Sequence, residues 1–362
     1  MRKNRFVIAS ALLIHLFLPF YAQQNDMGRT AYNDALFCFG SRDYGRALRY
    51  AETAVSERRN SVEAQLELLE NATASEPVQR AGDSIDSILL VLDRRGESNA
   101  ADIIRFYVRK KGEDCFGGSM KSMLSYIGGT AEYPEAQKLI GDVYRMEGEY
   151  SFAEDWYLEA LKNAGALDIP DAKYEILYQL AEISRLKGDP GMMEKRLLNI
   201  AASDPHFTDG TFMDSMCATV KGRRDPVGKF FVMYRAGSFY AMNAYSELAE
   251  YYSGRGEYDR ALRACGLAVI TGFTKVCSVV ESRDTEFSYS DLRSFFAEVG
   301  RYSDIKQWGT DNSLWKSFNM LAEISGKCGG RVFSSGLYDI LADASPDPYW
   351  RGEASVSSGR NQ

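Results

Sequence analysis

Four stretches of this chain align with one another around a short turn, and this internal repetition limits the possible folds more than any other feature. In each stretch, a turn tyrosine or proline follows nine residues after a small residue, and small or aliphatic residues follow after twelve and nineteen. The stretches begin at Ala35, Gly141, Ala181 and Ala249, and their turn residues are Tyr44, Tyr150, Pro190 and Tyr258. Because two helices pack closely only where small side chains let their axes approach, the pattern predicts a series of helical hairpins.

Glycine marks the turn in three of the four stretches, where it is expected to end the first helix in the left-handed conformation. These glycines are Gly148, Gly188 and Gly256, and Arg42 takes the place of glycine in the first stretch. The separation of Gly188 and Gly256 equals two units of about 34 residues, which predicts an intervening turn at Gly222. Weaker patterns predict further turns at Gly96 and Gly300.

This pattern resembles the tetratricopeptide repeat family, a helix–turn–helix unit of about 34 residues. The second stretch carries the family's ladder of small and aromatic residues at Gly141, Tyr144, Gly148, Tyr150, Ala153, Tyr157 and Ala160. The fourth stretch differs from it in having Cys265 at the second aromatic position. The resemblance implies an all-α fold, a right-handed superhelical solenoid of such hairpins with divergent helical insertions. The chain shows no sustained alternation of period two, so we expect almost no sheet.

The N-terminus has the composition of a secretory signal peptide. A basic start precedes residues 6–20, which are almost wholly apolar and shorter than the ~20 residues that a membrane span needs. Cleavage after Ala22 would leave Phe20 at a position where small residues are preferred, so a retained anchor at residues 6–22 stays open. We expect an exported protein, periplasmic or extracellular, with anchoring to the inner membrane as the alternative.

These signals divide the chain into six parts. The parts are a signal peptide at 1–22, an N-terminal repeat at 23–59, a divergent helical region at 60–133, a core repeat array at 134–272, a C-terminal helical cap region at 273–344 and a flexible tail at 345–362.

Composition excludes several classes of function. With 43 Lys+Arg against 50 Asp+Glu the net charge is −7, which argues against a nucleic-acid partner. Of the two histidines, His15 lies in the leader, so His206 alone cannot build a multi-histidine metal site. No glycine-rich phosphate loop or catalytic constellation is visible, so we expect neither a cofactor nor an enzyme. Among the six cysteines, only Cys265 and Cys277 are close enough in sequence to suggest a disulfide.

The resemblance also implies a binding surface. In the family, the second, fifth, ninth and twelfth positions of the first helix of each repeat line a concave groove. These positions are Glu135, Lys138, Asp142 and Arg145 in the second stretch, and Glu175, Tyr178, Glu182 and Arg185 in the third. Stacked rows of acids and arginines suit an extended peptide that carries both charges. Ion pairs within each helix face are the open alternative.

We therefore expect a non-catalytic adaptor or scaffold of the bacterial periplasm or cell envelope, binding a partner protein or peptide in this groove. The alternative is an envelope carbohydrate-binding protein, for example for peptidoglycan, or an enzyme that uses the solenoid as a platform. Aromatic platforms bind sugar faces, and Trp308, Trp315 and Trp350 are the candidates in that case. A membrane partner is expected only if the N-terminal segment is retained.

Overall fold

The computed structural model describes residues 27–359, which form helices and turns without a β-strand. The all-α prediction is confirmed for this part of the chain. The predicted signal peptide at 1–22 lies outside the described residues. The described chain forms two compact units, an N-terminal unit of residues 27–188 and a C-terminal unit of residues 189–359.

The N-terminal unit contains nine α-helices and three short 3-10 helices. The α-helices are α1 (Met27–Gly40), α2 (Tyr44–Thr73), α3 (Glu76–Ala81), α4 (Ile85–Arg95), α5 (Ser98–Lys111), α6 (Met120–Gly129), α7 (Pro134–Glu147), α8 (Tyr150–Lys162) and α9 (Ala172–Leu186). The 3-10 helices are Glu113–Phe116, Thr130–Glu132 and Ala164–Ala166.

Two predicted hairpins, α1–α2 and α7–α8, lie in this unit. Tyr44 and Tyr150 begin α2 and α8, as the pattern predicts. The turn residues Arg42 and Gly148 have φ angles of 62° and 84°, in the left-handed region. The aligned small residues are all buried: Ala35, Ala47, Ala54, Gly141, Ala153 and Ala160. The two helices of each hairpin approach closely because these positions carry so little side chain.

Residues 60–133 form an excursion between these two hairpins. α2 continues through the expected repeat boundary at residue 59 to Thr73, and α5, α6 and the turn at 130–132 pack back against it. The excursion buries its own core, which includes Leu69, Leu92, Ile104 and Ile127. α7 then packs against α1 and α2. The first and second hairpins are therefore neighbours in space, although the excursion separates them in sequence.

The C-terminal unit contains eleven α-helices and one 3-10 helix. The α-helices are α10 (Pro190–Ala201), α11 (Pro205–Thr208), α12 (Gly210–Val220), α13 (Pro226–Met233), α14 (Met242–Gly254), α15 (Tyr258–Arg283), α16 (Leu292–Val299), α17 (Ser303–Asp311), α18 (Leu314–Lys327), α19 (Arg331–Ala344) and α20 (Pro348–Ser357). The 3-10 helix is Phe239–Ala241.

α15 is the central helix of this unit and packs against α12, α14 and α18. By length and composition it is apolar enough to cross a membrane, but 72% of its most apolar stretch is buried inside the fold. A core helix has the same composition, and the neighbours of α15 account for it here.

The turns predicted in the C-terminal unit differ among themselves. Gly256 has a φ of 76° and α15 begins at Tyr258, as expected. Gly222 and Gly300 lie between helices but have no left-handed φ. A hairpin that we did not predict joins α18 and α19 through Gly329, whose φ is 87°. The expected cap region at 273–344 therefore contains a helix pair with the same turn as the predicted hairpins.

The expectation of a flexible tail from residue 345 does not hold for residues 348–357, which form α20. Asp347 caps this helix, because its side chain accepts hydrogen bonds from the amides of Tyr349 and Trp350. Pro348 at the first helical position suits a helix start. Ala354 is fully buried, and α20 packs against α18 and α19.

Candidate functional site

The predicted groove residues lie on α7 and α9. Residues 135, 138, 142 and 145 recur at three- and four-residue spacing along α7, and residues 175, 178, 182 and 185 do so along α9. Such spacing places side chains on one face of a helix. An ion pair joins the two sets directly, since Lys138 Nζ lies 3.5 Å from Glu175 Oε2. The structure therefore brings part of the two predicted sets together.

Asp142 is buried, and its carboxylate binds side chains of this chain instead of facing a partner. Its side chain accepts hydrogen bonds from Lys138 Nζ at 3.0 Å and from the Tyr157 hydroxyl at 2.6 Å. Tyr157 fits beneath α7 because Gly141 has no side chain; a Cβ there would lie 2.7 Å from the tyrosine ring. Burial and the charge of Asp142 raise the pKa of Tyr157, so the hydroxyl stays a donor. Both oxygens of Asp142 are thus occupied from within the chain.

Lys138 links α7 to α9. Burial acts to lower the pKa of Lys138, but the charges of Asp142 and Glu175 outweigh burial and raise it. The ammonium group is therefore retained, and it bridges the two carboxylates. Arg145 lies beside Tyr157, where its charge opposes the rise in the pKa of that tyrosine. Residues 138, 142 and 145 thus belong to one network with Tyr157.

Glu135 faces the loop that follows α8. Its Oε1 accepts a hydrogen bond from the Asp168 amide at 2.6 Å. Burial, together with the charge of Asp168, raises the pKa of Glu135. Asp168 in turn pairs with Lys110 of the excursion at 2.7 Å. Burial acts to raise the pKa of Asp168, but Lys110 outweighs it and lowers the pKa. Glu135 therefore helps to hold this loop near the excursion.

The α9 side chains are the accessible part of the predicted set. The side chain of Glu175 is 60% exposed and that of Arg185 is 56% exposed. Arg185 makes a forked ion pair with Glu182 one turn earlier, with Nε 2.8 Å from Oε2. Tyr178 lies between Glu175 and Glu182 in sequence, and its side chain is half-buried. We refer to Glu175, Tyr178, Glu182 and Arg185 as the α9 face.

Sequence reasoning missed an aromatic and cationic group beside Glu135. The rings of Tyr32 and Tyr133 have centroids 5.3 Å apart, and Arg58 lies 4.3 Å above the Tyr133 ring. Burial, then the neighbouring Tyr133 and Glu135, raises the pKa of Tyr32. The repeat pattern could have indicated Tyr32 as a groove position, because Tyr32 precedes Ala35 by three residues, as the predicted groove residue Lys138 precedes Gly141. The predicted groove residues belong only to the second and third stretches, whereas Tyr32 lies in the N-terminal repeat.

Asp204, beside His206, and the predicted platform residue Trp315 have structural roles. Asp204 is buried and accepts hydrogen bonds from the His206 amide and from the Tyr245 hydroxyl, so it caps the start of α11. Trp315 is also buried, with its ring against Gly309 and its Nε1 bonded to the Lys306 carbonyl. Trp315 therefore cannot present a platform to a sugar. Within residues 27–359, no three His, Cys, Asp or Glu side chains are grouped around a possible metal position.

Comparison with known proteins leaves the function open. No family model matches the chain. It is similar to an uncharacterized protein of Treponema pallidum (strain Nichols), with 29% identity over 308 residues, which covers 84% of this chain and 82% of that protein. The similarity therefore extends over most of both chains.

Proposed function

We propose that this chain is a tetratricopeptide-like scaffold, a right-handed superhelical solenoid with an inserted helical excursion. The observation that supports this is a turn that recurs at six places in residues 27–359. At each place a left-handed residue is followed by one residue outside the helical region, with φ between −106° and −82° and ψ between 51° and 82°, and the next helix begins immediately afterwards. The left-handed residues are Arg42, Gly96, Gly148, Gly188, Gly256 and Gly329.

A common hydrogen bond accompanies five of these turns. The amide that follows the left-handed residue donates to the carbonyl five residues earlier, at 2.8–3.0 Å. The donors are Asp43, Glu97, Glu149, Glu257 and Gly330. This bond is typical of the Schellman motif and satisfies a carbonyl at the helix end. A single local solution is thus repeated along the chain, as expected for a repeat protein.

The unpredicted hairpin α18–α19 fits the same pattern. Ala322 precedes Gly329 by seven residues, as Gly141 precedes Gly148, and both residues are buried. Leu341 follows Gly329 by twelve residues, as Ala160 follows Gly148, and it is fully buried. This helix pair supports the repeat interpretation because it lies outside the four aligned stretches.

We further propose that the scaffold binds a partner protein or peptide in an exported compartment, the periplasm or cell envelope, without catalysing a reaction on it. The α9 face supports this proposal, since it offers an exposed acid, a half-buried acid paired with an exposed arginine, and a half-buried tyrosine on one helix side. Arginine and carboxylate groups recognise the opposite charges of an extended segment. The network of Lys138, Asp142 and Tyr157 holds α7 beside this face. The carbohydrate-binding alternative loses Trp315, one of its three candidate platforms.

Affinity capture from the native envelope tests this proposal. The bait is the chain without residues 1–22, compared with the double variant Glu182→Lys/Arg185→Glu. The double variant keeps an ion pair one turn apart, so it preserves the helix, but it reverses the charges presented to a partner. The matched control is Glu159→Lys/Lys162→Glu on α8, where a similar exposed pair exists.

The proposal predicts one specific protein that is recovered by the wild-type chain and the α8 control but lost with the α9 variant. Equal recovery by all three would place the binding surface elsewhere. Recovery of no specific protein, with retention on isolated peptidoglycan that is lost on Trp308→Ala, would favour the carbohydrate alternative.

A further inference from the structure

Two ion pairs join α12 to α15, one from the middle of α12 and one from its C-terminal end. Arg263 pairs with Asp214 at 2.5 Å, and Lys221 pairs with Asp259 at 3.2 Å. Between them, Met216 packs where Gly266 leaves space; a Cβ on that glycine would lie 2.7 Å from the Met216 sulfur. Cys217 follows Met216 and lies three residues after Asp214 and four before Lys221. The helical period therefore places the Cys217 thiol on the side of α12 that carries both ion pairs.

Cys328 reaches the same region from the turn between α18 and α19. It directly follows α18, and the next residues, Gly329 and Gly330, make the left-handed turn. Gly330 lies against the C-terminal end of α12, because a Cβ there would be 2.8 Å from the Val220 carbonyl oxygen. The contact brings the Cys328 turn beside the last turn of α12, where Cys217 lies.

The two thiols share their charged surroundings. Both are half-buried and unpaired. Burial raises the pKa of Cys217, and Arg263 and Lys221 oppose the rise. Burial also raises the pKa of Cys328, where Asp259 and the Cys217 sulfur add to the rise and Lys221 opposes it. Lys221 and Asp259 therefore lie near both sulfurs, and Cys217 is itself a neighbour of Cys328.

We propose that Cys217 and Cys328 form an intramolecular disulfide when the protein meets a disulfide-bearing oxidant, such as a thiol oxidoreductase or glutathione disulfide. The Cys217 thiolate attacks the oxidant disulfide, forming a mixed disulfide and releasing one thiol. The Cys328 thiolate then attacks the Cys217 sulfur, closing the bridge and releasing the second thiol. Two electrons pass from the cysteines to the oxidant, and their two protons end on the released thiols.

The two cysteines that the sequence suggested as a pair, Cys265 and Cys277, cannot form a disulfide with each other. Cys265 and Cys277 lie on the single helix α15, twelve residues apart. At 1.5 Å per residue their Cα atoms are about 18 Å apart, far beyond the ~7 Å limit for a disulfide. The Cys217–Cys328 bridge would instead close a loop of about 110 residues. It would fasten α12 to the α18–α19 turn.

Peptide mapping of the oxidised protein tests the proposal. The folded chain without residues 1–22 is equilibrated with glutathione disulfide, its remaining thiols are alkylated, and it is digested with trypsin under non-reducing conditions. We expect one species that joins residues 197–221 to residues 328–331 and that dithiothreitol separates. Because long closed loops stabilise most, the oxidised protein should also melt about 5–10 °C higher than the reduced protein.

Three serine variants complete the test. Cys217→Ser and Cys328→Ser should each abolish the linked species and the shift in melting temperature, while Cys115→Ser, which removes an exposed thiol, should leave both unchanged. Circular dichroism before oxidation shows whether each variant is folded. If one of the first two is unfolded, the wild-type map alone decides. Absence of the 217–328 species from wild type, or a bridge from Cys217 to another cysteine, would overturn the proposal.

Discussion

The hairpin at Gly148 and the segment around Gly222 hold corresponding places in the repeat register, yet their turns are built differently. Gly148 is left-handed, the Glu149 amide bonds back to the Tyr144 carbonyl, and α8 begins at once. Gly222 is not left-handed, and the left-handed residue comes three positions later at Asp225, with a φ of 43°. α13 then begins at Pro226 and is only eight residues long.

The residue after the turn explains this difference. An acid follows directly at five of the six recurring turns: Asp43, Glu97, Glu149, Asp189 and Glu257. Acids at the start of a helix complement its dipole, and the side chains of Asp43 and Asp189 also accept a hydrogen bond from a free amide. Arginine follows Gly222 and Gly300, and the acid that caps α13 is displaced to Asp225. A period of about 34 residues thus locates a turn approximately, while the position of the acid marks where the next helix begins.

The largest expected effect comes from the buried seam of the regular hairpin. Ala153→Trp should lower the free energy of unfolding by about 3 kcal/mol, because α7 leaves no space beside this fully buried residue. Thermal melting would show a fall of about 6–12 °C. Ser151→Trp, on the exposed side of the same helix, is the control and should change the melting temperature little. Equal effects of the two substitutions would mean that the helix faces are assigned wrongly.

The network beside the α9 face gives the next effect. Lys138→Met should lower the free energy of unfolding by about 2 kcal/mol, because it leaves the buried Asp142 without its cation. Lys162→Met removes a lysine from an exposed pair on α8 and should cost less than about 0.5 kcal/mol. Chemical denaturation measures both. A Lys138 variant as stable as the Lys162 variant would contradict the supporting role of Asp142.

Two substitutions at equivalent turns should have opposite signs. Gly148→Ala should destabilise by about 1 kcal/mol, because alanine disfavours a φ of 84°. Arg42→Gly should stabilise by up to about 1 kcal/mol, since Arg42 already bears that cost at a φ of 62°. Arg42→Ala, which removes the side chain but keeps the strain, is the control and should be nearly neutral. If Arg42→Gly destabilises the protein, the first turn is not built like the second.

The smallest effect concerns acid stability where Glu194 of α10 contacts the α14–α15 hairpin. Burial acts to raise the pKa of Glu194, but hydrogen bonds from Tyr252 and Arg260 outweigh it and hold the pKa below its ordinary value. Such a carboxylate stabilises the folded state above its ordinary pKa, and this stabilisation is lost as the pH falls through the lowered value. Relative to Glu194→Gln, the wild type should therefore lose more stability between pH 5 and pH 3. The difference in melting temperature between wild type and Glu194→Gln should change by about 1–3 °C across this range. Melting temperatures that fall in parallel for the two proteins would show that Glu194 does not contribute to the pH dependence of stability.

The sequence predicted the helical class and five of the six recurring turns because glycine, acid and aromatic residues act locally on the backbone. The left-handed turns that it predicted at Gly222 and Gly300 do not form. It missed the α18–α19 hairpin, since Gly329 is not separated from Gly256 by a whole number of units and no tyrosine marks its turn. It also missed α20, whose start depends on Asp347 capping the chain just before Pro348.

The candidate site was harder to predict than the turns. Its residues were placed on the correct helices, but sequence could not separate the buried Asp142 from the exposed Glu175. That distinction depends on Tyr157 and Lys138, which reach Asp142 from different positions in the fold. The contribution of the excursion, through Lys110 and Asp168, also depends on a long-range contact that no local pattern contains.

Photo-crosslinking from the α9 face tests the central claim most directly. A photoreactive amino acid is placed at position 175 in one variant and at position 162 on α8 in another, both at exposed sites. Each variant is irradiated in the native envelope after expression at equal levels. We expect a discrete crosslinked protein from position 175 and none from position 162. The same adduct from both positions, or an adduct from position 162 alone, would contradict the claim that this face binds the partner.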